Sequence, residues 1–371
     1  MVRASAPGKC ILFGEHAVLY GQPAVAVAIE QRCNVTINDS KDDKWHLEGL
    51  IFKPEKHPHI DGLMKRLWNR RQPLTITINS EVPSSSGLGS SAALSVAMAA
   101  ALRAKRGRRV APDGAWNEGF SASLFQTDAY AKPDDGDAGD FSPGGELLLG
   151  IAALDSDELA LLGHAIEAEC QGGRASPTDT STSSYGGAVM ISDRRERGLD
   201  WQCSRQLTTP EGDRRWEVHK VKMPTNIDQV WLVIGNTGVH SKTAKVVADI
   251  AAQIKENPER MLEIKTIGDI ARRGASALRS GEFEELGRCM SENHLLLRGL
   301  GVSCPELENL IQAAAPTSLG VKLTGAGRGG CMVALTREPT LTCGAIELAG
   351  GRAYISKIGC QGARVDEESG N

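Results

Sequence analysis

The residues that decide the fold form the stretch Pro83-Ser-Ser-Ser-Gly-Leu-Gly-Ser-Ser-Ala-Ala93. It follows the alternating segment 74–78, which predicts a half-buried strand, and it leads into an Ala-rich helix predicted to end near residue 105. Two glycines separated by one residue let the backbone turn tightly and approach a ligand closely. Two serines stand where the helix begins, and unpaired N–H groups and the helix dipole favour a phosphate there. The stretch lacks the lysine of a Walker A loop and the third glycine of a dinucleotide-binding fingerprint. Alone, it fits a serine-capped helix after a flexible turn better than a phosphate loop of another kind, but it is eleven residues long and has companions.

Three further segments place reactive side chains beside small residues. The segment 6–21 surrounds a buried-looking strand with Lys9, Glu15 and His16. The segment 167–187 presents carboxylates at the end of a helix, followed by Asp179 in a loop of polar, small residues. The segment Lys322-Leu-Thr-Gly-Ala-Gly-Arg-Gly-Gly-Cys331 predicts a strand, a glycine-rich loop and a second strand that close over a substrate or a phosphate.

The composition excludes several classes of protein. A chain of 371 residues suggests two domains, at roughly 150 residues each. A net charge of -4 gives no global basic field for nucleic acid or an anionic membrane, and 6 Trp, 4 Tyr and 6 Phe are few for a base-stacking surface. Nine cysteines without a CxxC pair predict neither a disulfide framework nor a zinc site, and they favour a reduced, cytosolic protein. Neither a signal peptide nor a membrane span is expected.

The remaining pattern predicts alternating strands and helices. Residues 193–217, rich in Arg, Asp and Gly, are the expected domain boundary, whereas the segment 106–155 is a long insertion that could be a lid, an interface or an idle loop. Strands are expected within 2–37 and at 187–191, 230–234, 321–323, 331–335 and 353–358; helices are expected at 156–170, near 241–256, 258–280 and 282–298, and after Pro305.

Taken in order, the four motif segments resemble the GHMP kinase superfamily, and within it the mevalonate kinase family, particularly its archaeal branch. The segment 290–303 is similar to that family's C-terminal helix. The resemblance implies an α+β fold of two domains, an N-terminal mixed α/β domain over 1–195 and a C-terminal ferredoxin-like domain over 196–371, with ATP and substrate between them. It also implies a cytoplasmic homodimer that binds neither nucleic acid nor membrane.

The resemblance further implies the reaction and its residues. ATP would phosphorylate the C5 hydroxyl of mevalonate, with Mg²⁺ as the cofactor, early in isoprenoid synthesis. Asp179 would accept the proton of the hydroxyl, and Lys9 would stabilise the developing charge. The implied ATP-binding residues are Pro83, Ser85, Ser86, Gly87, Leu88, Gly89, Ser90, Ser91 and Ala92. The implied substrate-binding residues are Lys9, Glu15, His16, Asp179, Gly325 and Ala326. The implied metal ligands are Ser91 and Glu167.

The chain departs from the family pattern at two of its motifs. Gln171 is followed by two glycines where the family usually has one, so Glu169 competes with the preferred Glu167 as the carboxylate that faces the metal. Arg328 replaces a glycine in the third motif, which could change the flexibility of that loop or its phosphate contacts.

Other interpretations differ in substrate or in class. Phosphomevalonate kinase, homoserine kinase and galactokinase share the phosphate loop, but the run from Gly14 to Val18 favours mevalonate over galactose. A sensor of the same fold, binding ATP and a metabolite without turnover, would have no need of Lys9 and Asp179. A metal store built from His46, His57 and His59 rests only on nearness in sequence, and solvated histidines are expected instead.

Overall fold

The large sheet is organised around one long strand of 16 residues, Ala24–Asp39. The computed structural model describes residues 1–68, 71–84, 86–110, 146–209 and 212–366. The strands of this sheet are β1 (Val2–Phe13), β2 (Ala24–Asp39), β3 (His46–Leu47), β4 (Leu50–Ile51), β5 (Leu74–Ser80), β8 (Ala188–Ser192), β9 (Asp200–Thr209), β10 (Gly212–Val221) and β15 (Arg364–Asp366). Strand β1 pairs along the length of one edge of β2, while β8 and β5 pair with successive halves of its other edge; β15 adds to β1, and the β9–β10 hairpin adds to β8.

A second, four-stranded sheet is formed by the later part of the chain. Its strands are β11 (Trp231–Asn236), β12 (Gly320–Thr324), β13 (Cys331–Thr336) and β14 (Arg352–Ser356), in the antiparallel order β12-β13-β11-β14. With helices after β11 and after β13, this is the β-α-β-β-α-β arrangement of a ferredoxin-like fold. A separate pair, β6 (Arg108–Val110) with β7 (Glu146–Leu148), flanks the undescribed part of the insertion.

The helices cover the sheets and bury their apolar faces. They are α1 (Pro58–Leu67), α2 (Ser90–Arg106), α3 (Ser156–Cys170), α4 (Thr178–Tyr185), α5 (Thr243–Glu256), α6 (Met261–Ser280), α7 (Phe283–Gly299), α8 (Pro305–Ala314) and α9 (Pro339–Leu348). Helix α2 is the central one, because it packs against β1, β2, α1, α3 and α4. Its alanines favour the helix and let five neighbours approach closely, and those from Ala97 to Ala101 are completely buried.

Most of the expected elements are present, and three differ. Helix α1 was not expected. The loop expected around Asp179 is instead helix α4, and residues 193–217, expected as a domain boundary, supply β9 and most of β10. These strands form because Leu207, Trp216 and Val218 bury their side chains against the large sheet. The pairing therefore passes from one sheet to the other between β10 and β11, while the division at 195/196 stays a prediction.

The two sheets meet where β1 contacts β12. The Thr324 hydroxyl on β12 lies 3.1 Å from both the amide and the carbonyl of Ile11 on β1, accepting from the first and donating to the second. This contact brings the third motif against the N-terminal motif. None of the helices in the described part of the chain is long and apolar enough to cross a membrane.

Candidate active site

The centre of the candidate site is an ion pair between Lys9 and Asp179. Lys9 lies on β1, and its ammonium nitrogen is 3.2 Å from Asp179 Oδ1 and donates to the carbonyl of Gly87 at 2.9 Å. The Lys9 side chain is only 3% exposed, whereas that of Asp179, in the first turn of α4, is 35% exposed. Burial raises the pKa of Asp179, and the Lys9 ammonium lowers it in part. The pair thus presents an accessible carboxylate held by a buried cation.

The phosphate loop bends directly over this pair. Gly89 precedes the first residue of α2 with a φ of 72°, and a Cβ added there would lie 2.9 Å from Lys9 Cγ and 3.6 Å from Asp179 Oδ2. Only glycine fits so close a backbone approach in the left-handed region. Gly87 likewise packs against the backbone of Gly325 in the third motif. The loop, the third motif and the ion pair are therefore one assembly.

The other implied ATP-binding residues differ in how exposed their side chains are. Ser90 and Ser91 begin α2, and Ser91 is exposed. Leu88 and Ala92 bury their side chains in the core, which leaves only their backbone available to a nucleotide. Ser86 is buried with its hydroxyl donating to the Pro83 carbonyl at 2.6 Å, so it shapes the loop. Ser85 lies outside the described residues.

The two carboxylates at the end of α3 face different partners. Glu167 is almost completely buried; its Oε1 lies 3.2 Å from His59 Nε2, and its Oε2 accepts from Gln171 at 2.6 Å. Its negative charge adds to the effect of burial in raising the pKa of Asp179. Glu169 is half-exposed and lies 2.8 Å from Arg66. The geometry therefore favours Glu167 as the carboxylate of the site.

His16 and Ala326 contact each other between the N-terminal motif and the third motif. His16 Nε2 lies 2.9 Å from the Ala326 carbonyl, so the neutral ring carries its proton on that nitrogen and leaves Nδ1 as an acceptor. Burial lowers the pKa of His16 to about 4. A neutral ring cannot supply positive charge to a carboxylate substrate at neutral pH. It can accept a hydrogen bond from a hydroxyl.

Glu15 is placed differently from the implied direct substrate contact. Its side chain is 1% exposed, and it forms a buried ion pair with Lys322. Its second oxygen accepts from Asn293 Nδ2 at 3.1 Å. With both oxygens engaged, Glu15 is suited to positioning its neighbours rather than to contacting a ligand.

Comparison with known proteins assigns the family. The model of the GHMP kinases N terminal domain matches residues 59–119, and that of the GHMP kinases C terminal matches residues 275–341. The chain is 31% identical over 339 residues to the mevalonate kinase of Methanothermobacter thermautotrophicus, with 89% of each chain covered. It is 32% identical over 338 residues to that of Archaeoglobus fulgidus, with 90% of this chain and 91% of the relative covered. The chain belongs to the mevalonate kinase family.

Solved structures of mevalonate kinases share the fold. The structure titled L. major mevalonate kinase in complex with R-mevalonate is 21% identical, with a TM-score of 0.65 and 96% of each chain covered. The mevalonate kinase of Methanococcus jannaschii is 24% identical, with a TM-score of 0.64, 96% of this chain and 98% of that chain covered. The expected GHMP kinase fold and the expected family are both confirmed.

His59 is a site residue that the sequence interpretation missed. Expected to be solvated, it lies on α1 against Glu167, and contacts with the Cys170 thiol and Glu167 raise its pKa to about 10. Nothing local in the sequence shows that α1 packs against α3, so the sequence could not indicate the contact between His59 and Glu167.

Arg328, the departure from the mevalonate kinase pattern, anchors the third motif. It has a left-handed φ of 53°, and its backbone amide donates to the Val302 carbonyl at 2.7 Å. Its guanidinium donates to the Gly301 carbonyl at 3.0 Å and pairs with Asp249 on α5. The loop is thus fastened to the turn after α7 and to α5.

Proposed function

We propose that the protein transfers the γ-phosphoryl group of ATP to the C5 hydroxyl of mevalonate, which gives 5-phosphomevalonate and ADP. The observation that carries the proposal is the Lys9–Asp179 pair, at 3.2 Å, under the phosphate loop. The names of the relatives support mevalonate as the substrate. This reaction would place the protein in the mevalonate route of isoprenoid synthesis.

The pair supplies what phosphoryl transfer to an alcohol requires. The Asp179 carboxylate would accept the hydroxyl proton while the hydroxyl oxygen bonds to the γ-phosphorus and the bond from that phosphorus to the ADP oxygen breaks. The Lys9 ammonium would stabilise the charge that develops on the attacking oxygen. Because Lys9 is held by Asp179 and the Gly87 carbonyl, its charge is in place before the substrate arrives.

The substrate would lie between Asp179 and the His16–Ala326 contact. Neutral His16 can accept from a substrate hydroxyl through Nδ1, and Gly325 and Ala326 contribute backbone to the same wall. His16 carries no charge at neutral pH, and Lys9 lies at the reacting hydroxyl, so neither would pair with the substrate carboxylate at the other end of the molecule. Glu15 would support this wall from behind.

The residues present also fit Mg²⁺ as the cofactor. Magnesium prefers hard oxygen donors and binds through one or two carboxylates together with substrate phosphates. Within the described residues, Glu167 brings a buried carboxylate whose Oε1 faces His59 at 3.2 Å, and Ser91 is exposed at the start of α2. Ser91 and Glu167 would hold the ion. When bound, it would neutralise part of the negative charge of the ATP phosphates.

We also propose that the protein is a cytoplasmic homodimer. All nine cysteines are free thiols, which fits a reducing compartment. The homodimer rests on the resemblance to the family, and light scattering in solution measures it.

The test of the function is ADP release with four acceptors offered separately: mevalonate, phosphomevalonate, homoserine and galactose. We expect turnover with mevalonate and at most about a hundredth of that rate with each of the others, because a missing or added charged group leaves polar atoms unpaired. Turnover of another acceptor in preference to mevalonate would contradict the proposal, and nucleotide binding without turnover would indicate the sensor.

Asp179→Ala tests the base in the same assay. Removing a general base lowers kcat by about 10² to 10⁴, and the folded protein should still bind ATP. Near-normal turnover in this variant would remove Asp179 from the mechanism.

A further inference from the structure

A charged network lies completely buried behind the candidate substrate wall. Lys322 on β12 is 0% exposed and pairs with Glu15, which directly follows Gly14 at the end of the N-terminal motif strand. The Lys322 ammonium also donates to the carbonyl of Leu323 at 2.6 Å and to that of Ile11 at 3.3 Å. All three hydrogens of the ammonium are thereby used, so the charge is satisfied without water.

Asn293 completes this network from a third element. It lies on α7, is completely buried, and donates through Nδ2 to the second oxygen of Glu15 at 3.1 Å. The network Lys322–Glu15–Asn293 therefore joins the end of β1 in the large sheet to β12 in the small sheet and to the helix packed on it.

The network flanks the contact between His16 and Ala326 on both sides. His16 follows Glu15 directly and holds a left-handed φ of 61°, a conformation that is costly for a residue with a side chain. Ala326 follows Lys322 by four residues, beyond the Thr324 hydroxyl that bonds to Ile11. Fixing Glu15 and Lys322 to each other thus fixes the two chain segments that carry His16 and Ala326.

We propose that Lys322, Glu15 and Asn293 are positioning residues that hold His16 and the Ala326 carbonyl in the geometry that binds the acid substrate. The identity of that substrate rests on the proposed function. Stability alone does not require such a network, because apolar residues of similar volume commonly replace a buried ion pair without loss. The ion pair fixes the segment around Glu15 relative to the segment around Lys322. Apolar side chains would leave these two segments free to shift.

The test compares the single variants Lys322→Met and Glu15→Gln with the double variant Glu15→Gln/Lys322→Met. Each single variant leaves a buried polar group unpaired and should lower the Tm. The double variant removes both charges and should regain most of the Tm. In the double variant we expect the KM for the acid to stay about tenfold or more above that of the unmodified protein. The KM for ATP should stay within about twofold of the unmodified value.

Asn293→Ala keeps the ion pair and removes only one anchor of Glu15, so it provides a folded variant even if Lys322→Met fails to fold. We expect a rise of about threefold or more in the KM for the acid. The control is Arg103→Met/Glu158→Gln, which breaks a buried ion cluster near the far end of α2, where Glu158 also pairs with Arg108. Arg103 is 13 residues from Ser90, about 20 Å along the helix, and this control should leave both KM values unchanged.

Hydrogen–deuterium exchange gives a readout that does not depend on the substrate. We expect peptides covering residues 14–18 and 324–328 to exchange about tenfold faster in the double variant, and at the original rate in the control. Recovery of Tm, KM and exchange together in the double variant would show that the pair is only structural and overturn the proposal, as would equal changes in the control. If mevalonate is not turned over by the unmodified protein, the proposed function fails, and the exchange rates still decide whether the network positions these segments.

Discussion

The carboxylates Glu167 and Glu169 show how one helix end separates a buried carboxylate from a half-exposed one. Two positions apart on a helix, side chains point in directions about 200° apart. Glu167 is consequently almost completely buried beside His59, while Glu169 is half-exposed and lies against the buried Arg66. The sequence offered both residues, and the direction of each is set by how α3 packs against α1.

Glu167→Gln should raise the Mg²⁺ concentration needed for half-maximal activity by about tenfold or more, because a neutral amide is a weaker ligand for a hard cation. Glu169→Gln is the matched control and should change it less than about twofold. A Mg²⁺ titration of initial rates, together with Mn²⁺ binding in the presence of a non-hydrolysable ATP analogue, measures both variants. The reverse ranking would show that the assigned carboxylate is wrong by two positions.

Lys9→Met should change the pH dependence of turnover as well as its rate. Asp179 must be ionised to accept a proton, so activity is present above its pKa and is lost as the pH falls through it. Lys9 lowers that pKa against the effect of burial, and its removal lets the pKa rise further. The acid limb of the kcat profile should therefore move to higher pH. Lys65→Met, at an exposed lysine paired with Asp61, is the control and should leave the limb in place.

Lys322 illustrates what single residues in a sequence can indicate. A lysine between Val321 and Leu323 in a strand of apolar residues indicates a buried charge that needs a partner. The sequence could not name that partner, since Glu15 lies in the turn after β1, 307 positions earlier in the chain. The Lys9–Asp179 pair was expected from the resemblance, but its distance and the burial of Lys9 depend on the packing of β1 against α4.

At the level of elements, the start of α2 depends on a glycine that no other residue can replace. Gly89→Ala would place a methyl group 2.9 Å from Lys9 Cγ in addition to the strain of a left-handed backbone, which costs about 1–2 kcal/mol. We expect the loss of stability together with a fall in kcat of about tenfold or more, because Lys9 must move.

Gly350→Ala is the matched control for this change. Gly350 also has a left-handed φ, 89°, but nothing lies within 4 Å of an added Cβ. The Gly350→Ala variant should lose only the stability that the strained left-handed backbone costs, and its kcat should be unchanged. Urea unfolding and steady-state kinetics on both variants separate the two effects; equal kcat in the two would show that Lys9 tolerates the methyl group.

Helices α1 and α4 and the β9–β10 hairpin were not predicted because tertiary contacts override local preference. Helix α4 consists largely of Ser and Thr, which favour caps and turns, yet Thr180 to Ser184 are completely or almost completely buried and the fold imposes a helix there. Helix α1 carried one usable signal, Pro58 at its first position. The β9–β10 hairpin was obscured by its arginines; Arg214 and Arg215 are exposed, whereas Trp216 and Val218 are buried.

For the molecule as a whole, the order of motifs indicated the fold more reliably than periodicity did. The ferredoxin-like sheet and the expected family agree with the prediction. The way the two sheets meet could not be predicted, because it depends on contacts such as Thr324 with Ile11, which join residues more than 300 positions apart. Residues 111–145, the larger part of the insertion, lie outside the described residues, so the lid, interface and idle-loop interpretations all stay open.

Strand β15 returns from the small sheet to pair with β1, matching Arg3 with Asp366 and Ser5 with Arg364. Strand β1 therefore acquires one of its two neighbours only after the ferredoxin-like sheet has been synthesised. Closing so long a loop is entropically costly, and pairings between distant residues form late in folding. During synthesis, that edge of β1 is open to wrong partners, and a chaperone that shields exposed strand edges would raise the yield of correctly folded protein.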